Sequence, residues 1–182
     1  MNNWKKELRT LLESKKWQDA LDLMANIIKS DDTSVDAYIN YLYILEAIPL
    51  EPEVDYLGEM ARRANDALFG VYEEARHKYS DNPDFLFWSG WLATWCDWLF
   101  KIELRDAELL MLKAYVMCPE NKLFELAMVS NRKYARDGAY EDCVREIMAD
   151  KNTTDYIEKR GPVGEYMLYL FRPYCRNDRH QK

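Results

Sequence analysis

The residue types that most often carry out chemistry in proteins are few in this chain and form no recognisable site. Its two histidines, His77 and His180, have no cysteine or second histidine at a spacing suited to a metal ion. The sequence contains no glycine-rich phosphate loop, no HExxH helix and no GxSxG nucleophile elbow. Adjacent carboxylates such as Glu73 and Glu74 are typical of solvated helix faces. We therefore expect no catalytic residues, no cofactor and no metal site.

The cysteines and the hydropathy pattern indicate where such a chain would work. Cys96, Cys118, Cys143 and Cys175 are widely spaced, and the first three fall in segments with helical periodicity. They predict buried free thiols, as is usual in a reducing cytoplasm. The amino-terminal segment lacks a long apolar core, and no apolar run is long enough to span a membrane. We expect a cytoplasmic protein with no membrane partner.

The charge balance limits the class of partner. The formal net charge is −7 and the isoelectric point is near 5.0. Binding to the phosphate backbone of nucleic acids requires clustered lysine and arginine, so a nucleic-acid partner is not expected. An acidic surface either keeps the protein soluble or attracts a basic protein partner.

The elements that must position any binding residues are predicted best around a tryptophan-rich stretch at 82–121. Trp88, Trp91, Trp95 and Trp98 follow one another at intervals of three, four and three residues, which places them on one face of a single helix. A charged turn at 101–105 and a second helix complete a hairpin. Such a broad apolar face must be covered by neighbouring helices, which predicts that this hairpin lies inside a stack.

Helical periodicity extends over the rest of the chain, and glycine and proline are few. The pattern predicts a helical hairpin at 3–30, helices at 35–48, 53–79, 121–136 and 140–150, a loop at 151–154, a short helix at 154–159 and a final helix at 163–171. Gly58 and Gly70 each weaken the helix at 53–79, which either continues through Gly70 or breaks near it. We expect one all-α domain over residues 1–182, with a flexible basic tail at 172–182.

The spacing of large and small residues resembles that of tetratricopeptide repeats, whose unit is about 34 residues long. A unit that starts at Trp88 places Trp91 at position 4 and Pro119 at position 32, as in that family. Position 8, where the family has a small residue, holds Trp95, so we expect the two helices of this hairpin to separate or tilt. The resemblance implies a right-handed solenoid of stacked antiparallel helical hairpins, with the helix at 163–171 capping its end. An irregular helical bundle is the alternative.

The same resemblance implies a concave binding wall made by the first helix of each hairpin. Matched by position, its members include Asp36, Tyr43, Glu46, Phe100, Arg132 and Arg136. Tyr43 and Phe100 are the expected anchors, because aromatic side chains contribute much of the binding energy at interfaces. The alternative role for each residue is packing against the next helix.

Carboxylates are concentrated around the helix at 35–48. Asp36 and Glu46 lie on it, and Glu51, Glu53 and Asp55 follow in the next loop. These five residues predict an acidic surface for a basic partner.

Some cochaperones of the same repeat family clamp a C-terminal carboxylate with lysine, arginine and asparagine side chains. Lys5 and Asn40 match this clamp by position, but Arg9 replaces an asparagine, and Ser89 and Ala93 replace the remaining cations. We therefore do not expect this chain to bind a free carboxyl terminus.

A small, acidic, helical protein without catalytic motifs resembles the immunity proteins that neutralise toxins of bacterial contact-dependent growth inhibition systems. This resemblance implies a non-catalytic protein that blocks a basic nuclease toxin, with its carboxylates in place of RNA phosphates. The alternative function is a chaperone or adaptor of the tetratricopeptide type that holds an extended peptide of a secreted or client protein. An enzyme is the third and least expected class.

Overall fold

The computed structural model describes residues 4–30, 34–52, 54–55, 58–130 and 136–175, which are helical and contain no strand. The helices are α1 (Trp4–Glu13), α2 (Trp17–Ile28), α3 (Val35–Ala47), α4 (Glu59–Lys78), α5 (Pro83–Ala93), α6 (Asp97–Phe100), α7 (Leu104–Met117), α8 (Leu126–Val129), α9 (Ala139–Ala149), α10 (Lys151–Glu158) and α11 (Pro162–Phe171). Short 3₁₀ turns lie at Ile48–Leu50, Lys122–Glu125 and Arg172–Cys175. The predicted all-α class is confirmed.

Helix α3 lies at the centre of the fold. Nine of its thirteen residues are buried, and it contacts α2, α4, α5 and α11. The α1–α2 hairpin packs against it through α2, whose Ala20, Leu21 and Met24 are buried on one face. The turn of that hairpin closes because Lys15 adopts a left-handed conformation with φ of 55°. The predicted hairpin and the predicted helix at 35–48 are both present.

Helices α5 and α7 form the closest-packed pair of the fold. Helix α5 is apolar on all sides and contacts α3, α4, α6 and α7, which explains why a helix without a polar face is stable here. A Cβ atom on Gly90 would lie 2.7 Å from the carbonyl oxygen of Ala107 and 2.9 Å from Met111 Cγ. Glycine therefore permits this close approach of the two helices.

The four tryptophans do not share one helix, which corrects the sequence interpretation. Helix α5 ends at Ala93, where the Thr94 hydroxyl donates to the carbonyl of Trp91 at 2.7 Å. Trp88 and Trp91 are buried in α5. Trp95 lies in the following turn and Trp98 in α6, and they are 58% and 65% exposed. The helical spacing continues in the sequence beyond the point where the helix stops.

Three other predicted boundaries were wrong. Helix α4 starts at Glu59 rather than at residue 53, and it runs through Gly70 without a break. Within the predicted helix 121–136, the structure describes only the 3₁₀ turn and α8; residues 131–135 lie outside the described ranges. The predicted loop at 151–154 is helical, because the Asp150 carboxylate accepts from Thr153 N at 3.0 Å and starts α10.

The last described helix, α11, packs against the first, α1. Helix α11 contacts α1 and α3 in addition to α9 and α10. The 3₁₀ turn Arg172–Cys175 lies on α9, so the first part of the predicted flexible tail has defined neighbours, while 176–182 lies outside the described residues. All four cysteines are free thiols: Cys96 and Cys143 are buried as predicted, Cys118 is half-buried and Cys175 is exposed.

Candidate partner-binding site

The wall that α1 and α3 were predicted to offer a partner is occupied by the chain's own C-terminal helices. Asp36 forms ion pairs with Lys5 and with Arg160, the latter at 2.7 Å. Arg160 also pairs with Asp84 at 2.8 Å, and its side chain is only 12% exposed. The Arg160 guanidinium lies 4.4 Å from the centroid of the Tyr156 ring. Asp36 is thus neutralised within the molecule.

The residues that resemble a carboxylate clamp bind the turn between α10 and α11. The Asn40 amide nitrogen donates to the carbonyl of Arg160 at 2.7 Å, and its amide oxygen accepts from Val163 N at 3.2 Å. Lys5 Nζ donates to the carbonyl of Lys159 at 2.7 Å. Because Asn40 is fully buried, its polar atoms are satisfied by this turn rather than by a partner.

Tyr43, a predicted anchor, packs on Tyr166 of α11 with ring centroids 5.2 Å apart. The two tyrosines, together with Arg9 and Glu165, line a shallow cavity of about 250 Å³. Arg9 Nε donates to both carboxylate oxygens of Glu165, at 2.9 and 3.0 Å. Tyr43 is therefore half-buried at the contact between α3 and α11.

Glu46 is not an accessible carboxylate. It is 7% exposed, and burial raises its pKa to about 8, an effect that a hydrogen bond with the Cys96 thiol partly opposes. Its Oε2 atom has no hydrogen-bond partner among the described residues. The Cys96 thiol is buried beside it, and burial together with this carboxyl group raises the pKa of the thiol.

The other predicted site residues are scattered. Phe100 is 0% exposed and packs edge-to-face on Tyr72 at 5.2 Å, so it has no surface with which to anchor a partner. Arg136 is exposed and pairs with Asp142 at 2.5 Å. In the loop after α3, Glu51 is half-buried and Asp55 is exposed; Glu53 and Arg132 lie outside the described residues. Asp36 and Glu46 stand ten residues apart, about 15 Å along α3, so these two carboxylates do not lie side by side.

The structure instead assembles a cleft from segments that are distant in sequence. It has a volume of about 270 Å³ and lies among the end of α5, the start of α7, α8, α9 and the C-terminal 3₁₀ turn. We call it the aromatic cleft; its lining residues are Trp91, Thr94, Trp95, Leu104, Glu108, Leu126, Ser130, Tyr140 and Tyr174.

Two pairs of rings shape the aromatic cleft, and within each pair the ring planes are nearly perpendicular. The ring centroids of Trp91 and Trp95 are 6.5 Å apart, with an angle of 79° between the planes. Tyr140 and Tyr174 are 5.7 Å apart with an angle of 75°. Sequence reasoning missed both tyrosines, because nothing in the local pattern links residues 140 and 174. The signal for Trp95 was present, since a tryptophan occupied a repeat position where a small residue was expected.

Exposed apolar side chains are concentrated on the same part of the chain. Ten large hydrophobic residues are exposed among the described residues, and seven lie between residues 95 and 128: Trp95, Trp98, Leu104, Leu109, Val116, Met117 and Met128. Two of the seven, Trp95 and Leu104, also line the aromatic cleft. Large apolar side chains grouped on a surface typically mark an interaction site, so we take this cleft as the candidate binding site.

The chain matches no family model, no curated protein and no solved structure with which it was compared. The site must therefore be interpreted from its own geometry. Across the described ranges, no three residues among histidine, cysteine, aspartate and glutamate are grouped to hold a metal ion. None of the described helices is both long enough and apolar enough to cross a membrane.

Proposed function

We propose that this chain is a non-catalytic binding protein whose partner is a basic protein, and that it acts as the immunity protein of a basic bacterial nuclease toxin. The observation that carries the proposal is a pair of exposed tryptophans, Trp95, which lines the aromatic cleft, and Trp98, three residues further along the chain. Tryptophan is costly to leave in water, and it is enriched among the residues that dominate binding energy at protein interfaces.

Charges near these tryptophans suit a basic partner. Between residues 95 and 108 the chain carries four carboxylates, Asp97, Glu103, Asp106 and Glu108, against two cations, Lys101 and Arg105. The Lys101 ammonium lies 4.3 Å from the centroid of the Phe69 ring. With a net charge of −7, the whole chain would also attract a basic domain and accelerate its capture. The binding surface in this proposal replaces the acidic cluster expected around α3.

The alternative is a chaperone or adaptor built as a right-handed solenoid of the tetratricopeptide type. The α1–α2, α3–α4 and α5–α7 pairs would be its stacked hairpins. Such a protein holds an extended peptide on the first helices of its hairpins. Here α11 contacts α1 and α3, so a peptide would have to displace α11 first. This occupied wall favours the immunity function.

Growth rescue tests the proposal. We expect the gene beside the one that encodes this chain to encode a basic nuclease that arrests growth. The product of that neighbouring gene is expressed with and without this chain. The intact chain should restore growth and co-purify with the nuclease, whereas the Trp95→Ala/Trp98→Ala variant should do neither. Tyr169→Ala is the matched control, because Tyr169 is 63% exposed but lines the separate shallow cavity that contains Tyr43 and Tyr166. Full rescue by the double variant would contradict the proposal.

A further inference from the structure

We infer that the aromatic cleft binds the guanidinium group of an arginine side chain on the partner. The inference rests on the proposed function, and it names the chemistry by which that function would recognise its partner. A guanidinium group is flat, cationic and rich in hydrogen-bond donors. Three properties of the lining residues favour such a ligand.

The first property is the supply of π surface. Trp91 and Trp95 meet at 79° and Tyr140 and Tyr174 at 75°, so each pair forms a corner of two ring planes. Cations are attracted to the faces of aromatic rings, most strongly to tryptophan. A guanidinium is planar and weakly hydrated, and it stacks on such faces better than an ammonium does.

The second property is a pair of hydroxyl oxygens that can accept hydrogen bonds. The Thr94 hydroxyl donates to the carbonyl of Trp91 at 2.7 Å, and the Ser130 hydroxyl donates to the carbonyl of Leu126 at 2.6 Å. Each hydroxyl has one hydrogen, so both oxygens can only accept from a ligand. No described lining residue is a lysine or an arginine. Guanidinium offers five N–H donors and no acceptor, which matches this arrangement.

The third property is size. The volume of about 270 Å³ lies just below the range of roughly 300–1,000 Å³ that is usual for small-molecule and cofactor sites. It suits one long side chain of a partner rather than a large free ligand. Trp95 stands at the edge of the cleft with more than half of its surface exposed, so a docked protein could cover it.

Titration of the full chain with N-acetylarginine amide tests the inference, with N-acetylcitrulline amide as a neutral probe of nearly the same shape. The readout is the indole ¹H–¹⁵N NMR signal of each tryptophan. We expect a saturable shift of the Trp95 signal with the arginine probe and about tenfold weaker binding of the citrulline probe.

Variants separate the cleft from other exposed surface. The indole signal of Trp91, which also lines the cleft, is the readout for variants of Trp95. Trp95→Ala should abolish the saturable shift of this signal with the arginine probe, and Trp95→Phe should retain part of it because an aromatic face remains. Tyr169→Ala is the matched control, since Tyr169 is about as exposed as Trp95 but lines the separate cavity with Tyr43 and Tyr166; it should bind normally. Equal affinity for the two probes, or no saturable shift with either, would overturn the inference.

The outcomes also separate this inference from the proposed function. Rescue of growth that depends on Trp95, without binding of the arginine probe, would retain the function and reject the guanidinium site. Binding of the probe without any growth rescue would retain the site and reject the immunity function.

Discussion

At the residue scale, Glu46 is the least ordinary side chain of the fold. It lies near the end of α3, it is almost fully buried, and burial raises its pKa to about 8. Near neutral pH the folded protein therefore retains a proton that the unfolded chain has released. A carboxyl group in this state makes folding depend on pH.

Substitution of Glu46 by glutamine should reveal this dependence. The folded pKa of Glu46 lies above its ordinary value of 4.5, so the wild type loses stability as pH rises from about 4.5 to about 8. Each unit of difference corresponds to about 1.4 kcal/mol. We expect the free energy of unfolding of Glu46→Gln to exceed that of wild type by a few kcal/mol at pH 8, with little difference at pH 4.5.

Urea unfolding at the two pH values measures this difference. Glu120→Gln removes an exposed carboxylate and serves as the control, with the same free energy as wild type at both. An equal effect of Glu46→Gln at pH 4.5 and pH 8 would contradict the prediction, because it would show that the pKa of Glu46 is the same in the folded and unfolded protein.

At the element scale, the molecule depends on how closely α5 and α7 approach. Gly90 sits where a Cβ atom would collide with the backbone of α7, whereas a Cβ atom on Gly70 of α4 would meet nothing within 4 Å. Both glycines lie inside helices, so they carry the same intrinsic helix penalty. They differ only in their surroundings.

Alanine at each glycine should therefore have opposite effects. Gly90→Ala should destabilise the protein by about 1–3 kcal/mol, because the helices must move apart. Gly70→Ala should stabilise it by about 0.5–1 kcal/mol, because alanine restricts the unfolded chain and favours helix. Denaturant midpoints of the two variants measure both effects. A neutral Gly90→Ala would mean that the α5–α7 contact is looser than described.

The helices also differ in how well their bounds could be predicted from the sequence. Helices α3, α9 and α11 were predicted within two residues, because apolar periodicity and capping residues define them locally. The end of α5 was missed, because Trp95 and Trp98 continue the helical spacing although the chain turns at Thr94. The aromatic cleft and the occupied wall were also missed, since contacts such as Asn40 with Val163 join residues 123 positions apart.

At the scale of the whole molecule, one arginine joins the turn before α11 to α3 and α5. Arg160 pairs with Asp36 and Asp84, whose side chains are 20% and 24% exposed, and its carbonyl is bound by Asn40. Removing the guanidinium would leave both carboxylates without this partner in a partly desolvated place. Arg136 forms an ion pair too, but its side chain is 71% exposed.

Methionine at each arginine compares the two sites. Arg160→Met should destabilise the protein by about 2–4 kcal/mol, somewhat less than for a fully buried pair because the carboxylates keep some contact with water. Arg136→Met should change stability by less than about 1 kcal/mol. Urea unfolding gives both values, and limited proteolysis should cut near α11 only in Arg160→Met. Similar small effects would indicate that α11 is held by its apolar contacts alone.

The wall closed by α11 has a consequence for synthesis on the ribosome. Asp36 can pair at once with Lys5, but its second partner, Arg160, and the backbone groups that bind the Asn40 amide are translated more than 115 residues later. Until then the Asn40 side chain lacks these native partners. This part of the fold is therefore completed only after residue 163 has been made, and a product terminated before residue 160 is expected to be a substrate for chaperones and proteases.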